Sequence, residues 1–440
     1  MNDNLRRWLP WIGVAVGAVI LIVLIVALTS GDDDEVAGST TTTTAGETTT
    51  TTEGETTTTS EGETTTTTTE APAEPLVFGM LLVGPENDRG WSQAHREGGD
   101  YIVEQAGAEM ILIDKVNPAD RPETSIEQIV DDMVAQGAQL IFLTSDDMRD
   151  GALAAADAHP DVPMIWSSGD SAWEDGENFV PLPNLGNTMG QMEFGKQIAG
   201  CAAAMASETG KIAYLGPLIN DETRRLVNSA FLGAQYCWEN YKGGDPAALE
   251  FQVNWIGFWF NIPGVTLDPT EVANAFFNAG NDVVISGIDT TEALVVAGQR
   301  KTAGEAVWAV AYDFEGGCEE APEACLGVPW FNWRPKYLDI ALSVQDGTFA
   351  PEFTWLGPDW GDINNRDTTA IGWIPGTAPS DEAATAVNSF VGELAGGLWL
   401  FTGPLNYQDG SAWLGDGEAA TPRQVWYTKQ LLEGVEGASS

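Results

Sequence analysis

Basic residues are scarce in this chain: 19 lysines and arginines stand against 65 aspartates and glutamates, a formal net charge of −46. A protein that binds nucleic acid needs a basic surface to meet the phosphates, so we expect no nucleic-acid partner. The acidic residues are spread along the whole chain. This is typical of a strongly solvated surface, and a docking surface for a basic partner is the alternative.

Histidine is scarcer still, with only His95 and His159. Neither has the spaced cysteine, histidine or carboxylate neighbours that a zinc site requires, so we predict no metal site and no cofactor. The motifs G-x-x-x-x-G-K-[ST], H-E-x-x-H and G-x-S-x-G are also missing. These absences favour a protein that is not an enzyme, with no catalytic residues. A secreted glycoside hydrolase with two paired carboxylates is the alternative.

One long uncharged apolar run, WIGVAVGAVILIVLIVAL at residues 11–28, lies near the N-terminus. It is just long enough to span a membrane and is longer than a signal-peptide core of about 7–15 residues. Two arginines precede it and an acidic run follows it. The positive-inside rule therefore predicts a cytoplasmic segment at 1–10, a transmembrane anchor at 11–28 and everything later on the extracytoplasmic side of the cell membrane. Cleavage of the apolar run is the alternative.

A threonine-rich segment follows the predicted anchor. Residues 39–70 are threonine repeats broken by Gly-Glu, and the segment ends in EAPAEP. This composition cannot bury an apolar core. We therefore predict a disordered stalk at 29–75 that tethers the folded part.

Only four cysteines occur, and in an exported chain they suggest disulfides. Three pairings are possible. Cys318 and Cys325 flank the short loop CEEAPEAC and make the best pair, which would leave Cys201 to pair with Cys237. The alternative for Cys201 is a small buried residue with no covalent partner.

Short apolar runs alternate with helical stretches from residue 76 onward. The runs form two series of four, at 76–84, 110–116, 138–145 and 162–169, and at 211–217, 249–260, 282–288 and 306–313. The helical stretches lie at 92–107, 124–136, 148–159, 188–207, 222–240, 269–280, 291–303, 335–346 and 380–395.

Continuous apolar strands separated by helices are typical of a parallel sheet covered on both faces. We predict an α/β fold with two doubly wound parallel-sheet lobes, because the strands fall into two series. Lobe 1 is expected to comprise 76–182 and 313–350, and lobe 2 to comprise 183–312 and 351–440. An eight-stranded barrel has the same strand count and is the alternative.

Ligands of open parallel sheets bind beyond the carboxyl ends of the strands. Aromatic and mostly neutral polar side chains recur there in both halves, which suits a flat ligand held by stacking rings and edge hydrogen bonds. The predicted ligand-binding residues are Asp88, Trp91, Ser92, Gln93, Ser145, Asp146, Trp166, Trp259, Asp289, Asp313 and Trp333. Asp88, Ser92 and Asp313 are alternatively turn or helix-cap residues, and Trp259 is alternatively ordinary core.

The segment VGPENDRGWSQAHREGG resembles the first strand–loop–helix unit of the basic-membrane-protein family of ABC-transporter substrate-binding proteins. The similarity continues over most of residues 76–410 in the segments IFLTSDDMRDGALAAADAHPDV, GKQIAGCAAAMASETGKIAYLG, NWIGFWFNIP, AVAYDFEG, PWFNWRPKYLDIALSVQDGTF and LFTGPLNYQDG. The resemblance implies a fold like the type I periplasmic binding proteins, in which two lobes joined by three crossovers close on a ligand.

The same resemblance implies a purine nucleoside or nucleobase receptor that delivers its ligand to an ABC permease and ATPase. Trp91 would then face the base with Gln93 nearby. Asp313 would accept hydrogen bonds from a ribose or a base edge, and Trp259 and Trp333 would line the cleft. A sugar receptor and a surface sensor without transport are the alternatives among binding proteins.

Overall fold

The computed structural model describes residues 75–440. The predicted cytoplasmic segment at 1–10 and the predicted anchor at 11–28 lie outside this range, as does the predicted stalk up to residue 74. Among the helices of residues 75–440, none combines the length and the apolar character needed to cross a membrane.

The strands of the described residues are short and mostly buried. They are β1 (Val77–Leu81), β2 (Glu109–Ile113), β3 (Leu140–Leu143), β4 (Met164–Ser167), β5 (Leu185–Gly190), β6 (Lys211–Gly216), β7 (Glu250–Trp255), β8 (Val283–Ser286), β9 (Trp308–Val310), β10 (Gly327–Phe331), β11 (Phe353–Leu356), β12 (Ile371–Pro375), β13 (Leu405–Asn406), β14 (Ala412–Leu414) and β15 (Val435–Glu436).

Nine of the ten α-helices in the described residues overlap predicted stretches, and the short helix at 422–426 was not predicted. The predicted stretch 188–207 begins too early, because residues 188–190 belong to β5. The helices are α1 (Trp91–Ala106), α2 (Ile126–Ala135), α3 (Arg149–Ala158), α4 (Met192–Ala206), α5 (Asp221–Asn240), α6 (Pro269–Asn278), α7 (Glu292–Thr302), α8 (Arg334–Gln345), α9 (Asp381–Ala395) and the short α10 (Pro422–Trp426).

Side-chain caps explain several helix starts. Ser125 and Asn220 each form a capping box at the start of α2 and α5, and Asp268 accepts from the first backbone N–H groups of α6. These caps satisfy N–H groups that have no partner inside the helix. Where α1 ends, Gly107 has a φ of 62°, the left-handed conformation that glycine adopts most easily.

Two separate parallel sheets organise the molecule. The first has the strand order β11-β5-β4-β3-β1-β2, and the second has the order β15-β7-β6-β8-β9. We call the part around the first sheet lobe 1 and the part around the second lobe 2. Strands such as β3 and β8 are buried at every position, as expected of strands covered on both faces. The described residues thus form two separate parallel sheets, besides the two-stranded pairs β10-β12 and β13-β14, and the barrel alternative is wrong.

The sheets are divided along the chain differently from the predicted lobe boundaries. We assigned 183–312 and 351–440 to lobe 2, yet β5 pairs in parallel with β4, and β11 pairs in parallel with β5. Both strands therefore complete the sheet of lobe 1. β5 has the sequence LGNTMG, which lacks the apolar run that marks the other central strands.

Within residues 75–440 the chain passes between the lobes three times. The first crossing follows β5, the second lies between β9 and β11, and the third follows β11. In the second crossing, β10 pairs antiparallel with β12, and α8 then packs against α1 in lobe 1. Several parallel connections between two lobes are typical of proteins that close on a ligand by a hinge motion.

Two disulfides confirm the predicted pairing. Cys201 in α4 is bonded to Cys237 in α5, and these two helices pack closely against each other. Cys318 is bonded to Cys325 and closes the short loop between β9 and β10. Cys201 is therefore a covalent link between two helices of lobe 2, and the alternative of an unbonded small residue is wrong.

Candidate ligand-binding site

The loop after β1 uses several of the predicted ligand residues to fold itself. Asp88 Oδ1 accepts hydrogen bonds from the backbone N–H groups of Gly90 (2.9 Å) and Gln93 (3.0 Å), and Oδ2 accepts from that of Ser92 (3.0 Å). The Ser92 hydroxyl accepts from the backbone N–H of Gly84 at 3.0 Å. Asp88 therefore caps the start of α1, and Ser92 ties that helix to the end of β1.

The same loop engages the side chain of Gln93. Its Oε1 accepts from the backbone N–H of Arg89 at 3.1 Å, and Arg89 has a left-handed φ of 58°. Burial raises the pKa of Asp88 to about 6, against the lowering effect of the backbone N–H groups that it accepts from. Asp88, Ser92 and Gln93 together fix the direction of the first turn of α1.

Trp91 is the residue that this loop orients. It is 7% exposed, and its indole N–H donates to the backbone carbonyl of Thr144 at 2.5 Å. Its ring lies edge-on to Phe331 and Trp333, with centroids 5.1 and 5.4 Å away. Trp91 is therefore held from behind by other rings while it lines the cavity between the lobes.

Two other predicted tryptophans lie behind this wall. Trp333 stacks on His95 with ring centroids 4.1 Å apart, and the Trp166 indole N–H donates to the backbone carbonyl of Ser145 at 2.8 Å. Neither residue lines the cavity that Trp91 faces. Both belong to the buried core of lobe 1.

A cavity lies between the two lobes, and aromatic and polar side chains line it. Both lobes contribute walls, as expected for a cleft that a hinge motion closes. It brings together six of the predicted residues, which are Trp91, Ser145, Asp146, Trp259, Asp289 and Asp313.

The predicted ligand-binding residues did not include five further polar or aromatic residues of the wall, Ser168, Tyr214, Glu222, Thr223 and Tyr312. Ser168 and Tyr312 lie just beyond β4 and β9, where the strand-end rule does find them, but their neighbours Trp166 and Asp313 were chosen instead. Tyr214 lies inside β6, and Glu222 lies in the first turn of α5, where an acidic residue is ordinary. Neither of these two positions carries a local signal for a binding site.

Asp313 is the most deeply buried of the carboxyl groups that line the cavity. It is 0% exposed, and neither carboxylate oxygen has a partner at hydrogen-bond geometry among residues 75–440. Burial raises its pKa well above the usual range, against the lowering effects of the nearby Lys196 ammonium and Tyr312 hydroxyl. Its backbone is fixed by β10, because its N–H donates to Pro329 and its carbonyl accepts from Phe331. Its φ of 68° is left-handed, which is uncommon for a residue with a side chain and recurs at functional sites.

Asp289 and Glu222 add two more buried carboxylates to the cavity. Burial raises the pKa of Asp289 well above its usual range, and the nearby Asp313 raises it further. Burial also raises the pKa of Glu222, to about 7. Ligand N–H or O–H groups that donate to these carboxylates would compensate for the water that they have lost.

A buried lysine lies beneath the cavity floor. Lys196, in α4, is fully buried, and its Nζ donates to the backbone carbonyl of Ser286 at 2.7 Å. The ammonium also lies 3.0 Å from the ring centroid of Tyr312, a cation–π contact. Burial lowers the pKa of Lys196, while the charge of Asp313 opposes that change.

Trp259 supplies an aromatic wall from lobe 2. It is 9% exposed, and its indole nitrogen has no hydrogen-bond partner in the described part of the chain. Its backbone carbonyl accepts from the N–H of Asp289 at 2.9 Å, which ties the two walls together. The cavity thus has one tryptophan from each lobe, Trp91 and Trp259.

The lobes contact each other at the rim of the cavity. Arg89 Nε lies 3.0 Å from Glu320 Oε1, on the loop closed by the Cys318–Cys325 disulfide. The amide of Asn220 in lobe 2 donates to Asp146 in lobe 1 at 3.2 Å. The structure is therefore a closed arrangement of the two lobes.

Within residues 75–440, no group of three or more histidine, cysteine, aspartate or glutamate side chains is placed to hold a metal ion.

Known proteins resemble this chain in both sequence and fold. A purine-binding protein of Brucella abortus is 28% identical over 367 residues, which span 82% of this chain and 93% of that protein. A putative ABC transporter glucose-binding protein of Haloferax volcanii is 26% identical over 282 residues, which span 64% of each.

Solved structures of solute-binding proteins share the fold. One from Aeropyrum pernix superposes with a TM-score of 0.56 at 15% identity, covering 73% of this chain and 90% of that one. One from Conexibacter woesei has a TM-score of 0.52 at 17% identity, covering 73% and 97%. Residues 76–351 match the family described as ABC transporter substrate-binding protein, PnrA-like. Because this match spans more than half of the chain, the protein belongs to the Bmp family of ABC transporter substrate-binding proteins, as the resemblance in its sequence implied.

Proposed function

We propose that the protein captures a purine nucleoside, a nucleobase or a similar aromatic solute between its lobes and presents it to an ABC permease and ATPase. The observation that carries this proposal is Asp313, a fully buried carboxylate without a partner in residues 75–440, in a cavity walled by Trp91 and Trp259. The indoles suit the faces of a planar base, and the carboxylate suits an N–H or hydroxyl at its edge. The purine-binding relative in Brucella abortus supports the same ligand class.

Two further features complete this proposal. The protein acts as a receptor and not as an enzyme, which agrees with the role of its family.

Residues 11–28 anchor it as a single-pass membrane protein, and the stalk at 29–75 tethers the folded part on the extracytoplasmic side. Cell fractionation tests the anchor: the full chain is expected with membranes and a chain beginning at residue 76 is not. Recovery of the full chain, uncleaved, in the soluble fraction would contradict the anchor.

A sugar receptor is the second candidate. The Haloferax volcanii relative is named as a putative glucose-binding protein. Tryptophan rings with nearby carboxylates also suit the faces and hydroxyls of a pyranose. The two candidates differ in which ligand stabilises the folded protein.

A thermal-shift panel separates these candidates. Adenine, adenosine, guanosine and glucose are added to the purified folded part, each over a range of concentrations. A bound ligand stabilises the native state by about 2.7 kcal/mol when its concentration is a hundred times its Kd. We expect purines to raise the melting temperature and glucose to leave it unchanged. A shift with glucose alone would overturn the purine proposal.

A matched pair of tryptophan variants tests the cavity wall. Trp91→Phe removes the indole N–H bond to Thr144 and part of the stacking surface, so purine affinity should fall about tenfold. Trp333→Phe alters a ring that packs behind the wall and should change Kd by less than about twofold, because it loses no direct ligand contact. Calorimetric titration measures both values. Equal losses in the two variants would show that Trp91 acts through packing alone.

A further inference from the structure

The charge of the cavity wall is one-sided. Among residues 75–440, four carboxylates line it, Asp146, Glu222, Asp289 and Asp313, and no lysine, arginine or histidine does. Acidic residues alone do not define a ligand. Asp313 adds an independent observation, because it is fully buried and both of its oxygens lack a partner within the described chain.

The nearest cations are already engaged elsewhere. The Lys196 ammonium donates to Ser286 and lies over the ring of Tyr312, outside the cavity wall. Arg225 forms a buried ion pair with Glu193 at 2.5 Å. Neither cation is part of the cavity wall. An anionic ligand would therefore meet carboxylates with no opposing charge at the wall.

The hydrogen-bond donors of the cavity wall are neutral groups, among them the hydroxyls of Tyr214 and Tyr312. The indole N–H of Trp259 and the hydroxyl of Ser168 line the cavity and have no partner among the residues described. The two oxygens of Asp313 and the carboxylates of Asp289 and Glu222 are acceptors when ionised. The ligand must then supply donors to these carboxylates, because an unpaired buried acceptor is costly.

We propose that the cleft selects, among planar aromatic ligands, for neutral or cationic molecules rich in N–H donors, such as amino-substituted purines, and rejects anionic ones. This inference rests on the proposed function and narrows its ligand class. An exocyclic amino group donates to a carboxylate, whereas a carbonyl in the same place sets acceptor against acceptor. A phosphate group would bring further acceptor oxygens to a wall that includes no cation.

Matched ligand pairs test this selection by isothermal titration calorimetry. Adenine and hypoxanthine differ by an amino group in place of a carbonyl, as do adenosine and inosine, and adenosine 5′-monophosphate adds an anion to adenosine. We expect the amino member of each pair to bind about tenfold or more tightly, and the monophosphate to bind at least about a hundredfold more weakly than adenosine. A ratio near one within both pairs, or tight binding of the monophosphate, would overturn the inference alone. Failure of every purine to bind would overturn the proposed function and this inference with it.

Two aspartate variants locate the selection. Asp313→Asn keeps the shape of the side chain but offers an N–H in place of an acceptor, so the adenine-to-hypoxanthine ratio should fall by about tenfold. Asp282→Asn is the control, because Asp282 is also buried but accepts from Ser207 and from the backbone N–H groups of residues 208 and 209, away from the cavity. The control should lose stability and keep the ratio. If Asp313→Asn folds and its adenine-to-hypoxanthine affinity ratio is unchanged, Asp313 does not contribute to the selection.

Discussion

Glu222 illustrates how a single buried side chain links ligand chemistry to stability. Burial raises its pKa from an ordinary value of 4.5 to about 7. The groups that face it are Arg225 on its own helix, Asp146 from lobe 1, and Glu193 and Lys196 from α4. The arginine and lysine favour its ionised form, but burial and the acidic neighbours outweigh them.

A pH-dependent stability follows from this shift. Between pH 4.5 and 7 the folded protein retains the Glu222 proton that the unfolded chain releases, so the free energy of unfolding should fall as pH rises through this window. In Glu222→Gln, the free energy of unfolding should no longer show this decrease between pH 4.5 and 7. At pH 8 the variant should be more stable than wild type by on the order of 1–3 kcal/mol, and at pH 4 the two should match. Denaturation at a series of pH values measures this, with exposed Glu123→Gln as the control. Identical slopes for wild type and Glu222→Gln would contradict it.

Residue types alone predicted the cavity only in part. The strand-end rule found Trp91, Trp259, Asp289 and Asp313, because parallel strands deliver their carboxyl ends to one edge. It also selected Asp88, whose carboxylate is occupied by backbone N–H groups. A helix cap and a ligand contact use the same residue types, so the sequence cannot separate them.

At the scale of elements, periodicity predicted helices better than strands. The helices α4 and α5 have strong apolar patterns, and their predicted bounds differ from the observed ones by only a few residues. β5 was missed because LGNTMG contains small and polar residues that are buried by close backbone packing. Gly186, within that strand, packs against the side chain of Ile165 and the backbone of residue 352. Close packing of this kind depends on neighbours that are distant in sequence.

The disulfide between α4 and α5 should contribute more stability than the one in the short loop. The first bond, Cys201–Cys237, spans 36 residues and the second, Cys318–Cys325, spans seven, and a longer closed loop restricts the unfolded chain more. Replacing Cys201 and Cys237 with alanine should lower the free energy of unfolding by roughly 2–4 kcal/mol. The double variant with Cys318→Ala and Cys325→Ala should show a smaller decrease in the free energy of unfolding. Urea denaturation compares the two double variants, and the reverse order would contradict the loop-length explanation.

For the whole molecule, the two series of apolar runs were enough to predict two parallel sheets. They were not enough to place the crossings, since β5 and β11 join lobe 1 although they lie beyond the predicted boundaries. The sheet that a strand joins depends on which sheet edge is next to it in the folded chain, and the sequence of the strand itself does not specify that edge. The partition of the chain between lobes therefore had to come from the structure.

The loop before α1 also decides how far the lobes can approach. Gly90 in lobe 1 lies against the backbone carbonyl of Asp289 in lobe 2, and a methyl group on Gly90 would overlap that oxygen. The two lobes can therefore close only because residue 90 has no side chain. Gly90→Ala should leave each lobe folded but prevent the two lobes from closing fully. Small-angle scattering should then show the variant remaining extended at ligand concentrations that compact the wild type, and equal compaction of both would refute it. Such a variant would provide a folded form of the protein that does not close on its ligand.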